Sequence, residues 1–261
     1  VTPSTLKRYY LLIVATLTLV GTARGETSLS VVAAKDTFVN AEYADVNYGN
    51  KGAMQVSADT YGERAAILGF DVSGAVEDFN TLYGSGNWSL TSVALQLSTN
   101  NGKANDIPNN VIFFDPIKAG AFSVEWMADD SWDEMSLCYA NLTDYLSNDD
   151  IQLGTYDWTT TAESVSTSTY SLGLAGALQN DILGTSGNAF ISLSLWAADD
   201  TVCYLFNTRS YNTASHYPTL ILAAEAVPEP AHYALGLALL SWFIAGWRRY
   251  RAASFIQSAH P

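Results

Sequence analysis

Through most of this chain, short runs rich in Val, Ile, Leu, Phe and Tyr are separated by clusters of Gly, Asn, Asp and Ser. That rhythm constrains the fold more than any other feature, because such runs suit strands closed by turns. Expected strands are Thr37–Ala41, Ala53–Ser57, Ala65–Asp71, Ser89–Ser98, Val111–Phe114, Met135–Tyr139, Ala189–Trp196, Val202–Asn207 and Thr219–Ala223. Alternation is clearest in Val93-Ala94-Leu95-Gln96-Leu97 and Ile191-Ser192-Leu193-Ser194-Leu195, where one face is apolar and the other small or polar. Leu172–Leu183 has helical spacing but two glycines, so a short helix or a loop is expected there. The pattern predicts an all-β, jelly-roll-like sandwich of two antiparallel sheets.

The two ends are built differently. Lys7 and Arg8 precede the apolar stretch Tyr9–Val20, and Ala23-Arg24-Gly25 places small residues at cleavage positions. This is the pattern of a secretory signal peptide over 1–25, and the apolar part is too short to span a bilayer. At the other end, Pro228-Glu229-Pro230 is followed by the run Ala231–Trp247 and then by Arg248, Arg249 and Arg251. The run contains no Asp, Glu, Lys or Arg and reaches the short end of the about 17–25 residues that cross a membrane. The arginines would keep its end cytoplasmic. The expected organisation is therefore a signal peptide (1–25), a sandwich domain (26–226), a C-terminal signal with a transmembrane helix (227–251) and an extension (252–261).

Charge narrows the partners. The stretch from Glu26 to Glu229 holds all 26 acids and six of the 12 cations, a net charge of −20. Nucleic acid and anionic lipid would be repelled. Cys138 and Cys203 lie in an exported chain, where either a disulfide between neighbouring strands or two buried free thiols fit the sequence. His216 is the body's single histidine, and no G-x-S-x-G, HExxH or phosphate-loop motif occurs, so a non-enzymatic protein is expected.

The order Pro228-Glu229-Pro230, apolar span and Arg248, Arg249, Arg251 resembles the PEP-CTERM sorting signal of Gram-negative bacteria, although the extension after Arg251 is unusual for it. The resemblance implies recognition by an exosortase-type membrane protease. It also implies passage through the inner membrane with transient anchoring, then display at the cell surface or release into the extracellular matrix. In the body, Asp36-Thr37-Phe38-Val39 with Asp45-Val46-Asn47-Tyr48-Gly49, Arg64 through Phe70-Asp71, Trp132-Asp133-Glu134, and Phe206-Asn207-Thr208-Arg209 through Pro218 resemble the DNRLRE-type domains. Those are extracellular sandwiches related to carbohydrate-binding modules, some of which bind alginate-like acidic polysaccharide. Ser210 stands where the family has glutamate, and Gly69 interrupts its arginine-containing run. The resemblance implies structural roles for Asp36, Asn47, Tyr48, Gly49, Arg64, Phe70, Asp71, Trp132, Arg209 and Pro218.

The same residues have physical readings. Arg64 and Arg209, scarce cations, are expected to pair with carboxylates. Phe70 and Trp132 suit the core, whereas Trp88, Trp126 and Trp158, in polar surroundings, are candidates for stacking on sugars. The pairs Asp129-Asp130, Asp149-Asp150 and Asp199-Asp200 suit solvated turns, and adjacent aspartates on extended chain point apart. Asp36, Asp45 and Asn47 are the candidate Ca²⁺ ligands, although no DxDxDG loop is present. The expected function is carbohydrate binding or a structural, adhesive role on extracellular polysaccharide; the alternative is a polysaccharide lyase or hydrolase.

Overall fold

The computed structural model describes residues 25–99, 118–158, 165–184, 189–227, 238 and 240–247. Eleven strands are described: β1 (Thr27–Val32), β2 (Lys35–Asn40), β3 (Ala53–Ser57), β4 (Arg64–Asp71), β5 (Trp88–Ser98), β6 (Gly120–Met127), β7 (Ile151–Trp158), β8 (Thr167–Leu172), β9 (Phe190–Ala197), β10 (Cys203–Asn207) and β11 (Thr219–Ala226). Two helices join them, α1 (Ser73–Tyr83) and α2 (Gly176–Ile182). The strands form two antiparallel sheets. The smaller has the order β1-β11-β5-β8; the larger runs β10-β3-β4-β9-β6-β7, with β2 added along β4.

Period-two alternation makes the core between the sheets. In β9, Ile191, Leu193 and Leu195 join the main cluster with Val93, Leu95 and Leu97 of β5, Leu220 and Leu222 of β11, and Phe122 and Phe206. Ser192, Ser194 and Trp196 take the opposite face of β9, which is covered at the two serines and only half-covered at Trp196. The 128–150 segment crosses it as a strap and supplies Trp132, Leu137 and Leu142 to a second cluster with Val39, Ala65 and Ile67. Covered on both sides, β3 is buried throughout and β4 up to Asp71. The smaller sheet keeps an exposed outer face at Ser28, Ser30, Ser92, Thr169 and Ser171.

Several local expectations change. Met135–Tyr139 is not a strand: it is a turn entering a 3₁₀ segment, Tyr139–Asp144. Side chains redirect the backbone there, since Asp133 Oδ1 accepts from Met135 N and Asn141 Oδ1 accepts from Cys138 N. Leu172–Leu183 divides into the end of β8 and the short helix α2. β1, β6, β7, β8 and α1 were not anticipated. In α1, Ala75 and Phe79 bury one face four residues apart, and Gly84 at φ 92° ends the helix.

Val111–Phe114, residues 1–24, the Pro-Glu-Pro element, Arg248, Arg249 and Arg251 lie outside the described residues. No helix among the described residues is long and apolar enough to cross a membrane. The helical positions 240–247 expose Leu240, Trp242, Ile244 and Trp247.

Candidate functional site

Several of the residues singled out by motif, Asp36, Asn47, Glu134 and Arg209 among them, meet at one clasp, which holds the strap to the larger sheet. Glu134 is its centre. Its Oε1 accepts from Asp36 N at 3.0 Å and from Arg209 Nε at 3.1 Å, while its Oε2 pairs with the second arm of the Arg209 guanidinium. Arg209 N donates to Asp36 Oδ2 at 2.7 Å. Asn47 Nδ2 donates to the carbonyls of Glu134 (2.8 Å) and Leu137 (2.7 Å), and Asn47 Oδ1 accepts from Gly49 N. Tyr48 stacks on Phe38 with centroids 4.2 Å apart. Lys35 Nζ lies 4.1 Å from the Trp132 ring centre and donates to the carbonyls of Asp130 and Trp132.

Asp36 is 1% exposed, and its Oδ1 has no hydrogen-bond partner among the described residues. Burial, and then the Glu134 charge, push its pKa up to about 7, against the lowering effect of the Arg209 backbone bond and charge. On Arg209 the Glu134 hydrogen bond dominates and raises the pKa. The clasp is a closed set of protein–protein bonds, so these residues hold the fold together.

The other motif residues are similarly occupied. Buried Arg64 donates to Ser57 Oγ and the Gly62 carbonyl and lies 3.9 Å from Glu42. Asp71 Oδ1 accepts from Ser73 N and Oγ at the start of α1. The Pro218 carbonyl accepts from Ala33 N, and Phe70 is buried in the main cluster.

Two expectations are corrected, the Ca²⁺ ligands and the sugar-stacking tryptophans, and of the two cysteine readings the disulfide is not formed. Asp36, Asp45 and Asn47 are not assembled around a cation: Asp45 is exposed, Asp36 is in the clasp, and Asn47 aims its N–H donors at two carbonyls. No group of three or more His, Cys, Asp or Glu among the described residues is arranged to hold a metal. Neither Cys138 nor Cys203 is in a disulfide: Cys138 begins the 3₁₀ turn of the strap, while Cys203 lies in β10 opposite Ser57, its sulfur accepting from Gln55.

Trp88, Trp126 and Trp158 are core residues. The Trp88 indole donates to Asn80, that of Trp126 to Asp181, and Trp158 stacks on Tyr204. A buried indole finds an acceptor, so polar neighbours in sequence did not signal exposure.

A different tryptophan lines open space. Trp196, half-buried at the end of β9, borders a cleft of about 260 Å³. Ser57 and Ala58 from the end of β3, Asp59 and Glu63 from the next turn, and Ala197, Ala198, Asp199 and Asp200 complete its lining. Tyr139 of the strap donates its hydroxyl to Glu63 Oε2 at 2.7 Å; that bond, and then burial, raise the tyrosine pKa. Burial pulls the Asp199 pKa up, but bonds from Ala121, Thr201 and Val202 outweigh this and hold it below the usual carboxylate range. Asp199 therefore shapes the wall, while Asp59 and Asp200 make no side-chain hydrogen bond among the described residues. Sequence reasoning missed this site. Its local signals were the Asp199-Asp200 pair, which suits a solvated turn, and the β9 alternation, which puts Trp196 on the face away from Leu193 and Leu195.

No protein-family model matches this chain, and no curated protein does. Among solved structures, a deletion mutant of the Penaeus vannamei nodavirus capsid protein, from a T=1 subviral particle, is similar at 12% identity and a TM-score of 0.23. The alignment covers 78% of this chain and 98% of that one; a likeness this distant carries no argument.

Proposed function

We propose that this is an exported, non-enzymatic protein of the cell surface or extracellular matrix of a Gram-negative bacterium, a jelly-roll-type sandwich that binds polysaccharide at the Trp196 cleft. The observation that carries the binding half is the half-buried indole in a cleft lined by acceptors, an arrangement suited to stacking on a sugar ring and bonding its hydroxyls. The DNRLRE-like motifs support the same class of protein. Export and sorting rest on the two ends of the sequence, with an exosortase-type protease acting near Pro228-Glu229-Pro230 and Arg248, Arg249 and Arg251 setting orientation.

The enzyme reading has less support. The aspartate pairs each spend a member on a turn: Asp129 accepts from Ser131 N, Asp150 from Ala128 N and Ser147 N, and Asp199 from Thr201 N and Val202 N. Adjacent aspartates tied in this way are not free to face each other across a bond, as hydrolysis requires.

The test is retention of the full chain, in mild detergent, on a panel of immobilised polysaccharides. Wild type should be retained and Trp196→Ala should pass through. Equal retention of both would move the site elsewhere, and no retention of wild type would leave a purely structural protein. Release of reducing ends would favour the enzyme.

A further inference from the structure

The cleft around Trp196 has a one-sided chemistry. Four carboxylates line it, from Asp59, Glu63, Asp199 and Asp200, together with one indole, and no Lys or Arg among the described residues does. Arg64 is near in sequence, but its guanidinium is buried and turned to Ser57 Oγ, the Gly62 carbonyl and Glu42. The four bonds that hold Asp199 ionised keep one negative charge fixed in the wall.

Three kinds of sugar unit would meet this wall differently. A uronate would be repelled by every acid in it. A neutral hexose could bond to the carboxylates but would desolvate them without supplying an opposite charge. An amino sugar with a free ammonium group can stack its ring on Trp196, place its cation near the indole face, and pair with Asp59, Glu63 or Asp200. We propose that the cleft selects polysaccharide units bearing a free, deacetylated amino group. This rests on the glycan-binding reading above and sets its specificity. It departs from the acidic polysaccharides that the sequence resemblance implied.

The experiment titrates the full chain with glucosamine oligosaccharides, their N-acetylated counterparts and alginate oligosaccharides, at low and high salt. The free-amine series should bind at least tenfold tighter than the acetylated series, and its advantage should shrink in high salt. Trp196→Ala should weaken both series. The double variant Asp59→Asn/Glu63→Gln should shrink the preference while leaving binding of the acetylated series, because Asn and Gln still accept hydrogen bonds and only Asp199 and Asp200 stay charged. A control that removes equal charge from the exposed face of α1, Glu77→Gln/Asp78→Asn, should change nothing.

Equal affinity for acetylated and free-amine sugars, or tighter binding of alginate, would overturn the selection and leave the glycan reading standing. A loss in the α1 control as large as in the cleft variant would reduce the effect to nonspecific charge and overturn it too. Failure of all three series would remove both proposals.

Discussion

At Gly49 an added Cβ would come within 2.0 Å of the Glu134 carbonyl oxygen, and that contact explains the glycine better than turn chemistry does. The neighbour is backbone, held in turn by the Asn47 side chain, so it cannot swing aside. Gly49→Ala should therefore destabilise the protein by roughly 2–4 kcal/mol through overpacking at a fixed contact. Chemical denaturation would show a lower midpoint; an unchanged one would mean that the loop has room to move. Arg209 differs in kind. Removing its guanidinium leaves Glu134, 9% exposed, with its main partner gone, so Arg209→Gln should destabilise more than Lys118→Gln, a change at an exposed cation. Most of these residues could be picked from the sequence by motif, yet their shared purpose could not. Asp36 and Glu134 bond across 98 positions, and Asp36 and Arg209 across 173. Local pattern carries no information about such partners.

The strap is the element that the sequence disguised. Its apolar residues Met135, Leu137 and Tyr139 alternate as a strand's would, but turn bonds from Asp133 and Asn141 hold the segment curved. The strap takes its place from what it covers: Trp132 donates to Ser192 Oγ at 2.9 Å, Leu137 and Leu142 pack on Val39, Ala65 and Ile67, and Ala140 N donates to the Ala44 carbonyl. Strands β4, β5, β9, β10 and β11 were legible because their alternation or apolar length matches their burial. β6, β7 and β8 were not, since Gly120, Gly154 and the Ser/Thr residues of β8 dilute the signal, and β7 and β8 end their sheets. Asn47→Ala removes two of the bonds that tie the 43–50 loop to the strap, leaving that from Ala140 N to the Ala44 carbonyl, and should loosen this element without unfolding the sandwich. Hydrogen exchange would show it: amides of 133–146 should lose protection while those of β4 and β9 keep theirs. Uniform loss across all of them would place Asn47 in the global folding unit instead.

At the scale of the whole molecule, acidity and burial act in the same direction on stability. A net charge of −20 between Glu26 and Glu229 makes the compact state repel itself, an effect that salt should relieve. Asp36 adds a second, site-specific dependence. Its pKa rises on folding from an ordinary 3.8 to about 7, so the native state binds the extra proton between those values. The resulting stabilisation is complete below about pH 4 and is lost as pH rises through about 7, amounting to no more than about 4 kcal/mol at about 1.36 kcal/mol per unit. Glu125, raised by burial and then by Asp150, acts in the same sense. Asp199 acts in the opposite one, losing its contribution as pH falls through a value below the usual carboxylate range, outside this window. Denaturation midpoints should thus fall from pH 5 to pH 8 in the wild type. Asp36→Asn keeps an acceptor for Arg209 N and cannot ionise, so its profile should be flatter, with the remaining slope sensitive to salt. Parallel profiles for the two proteins would show that Asp36 is ionised in the fold throughout, and that the general charge alone sets the pH dependence.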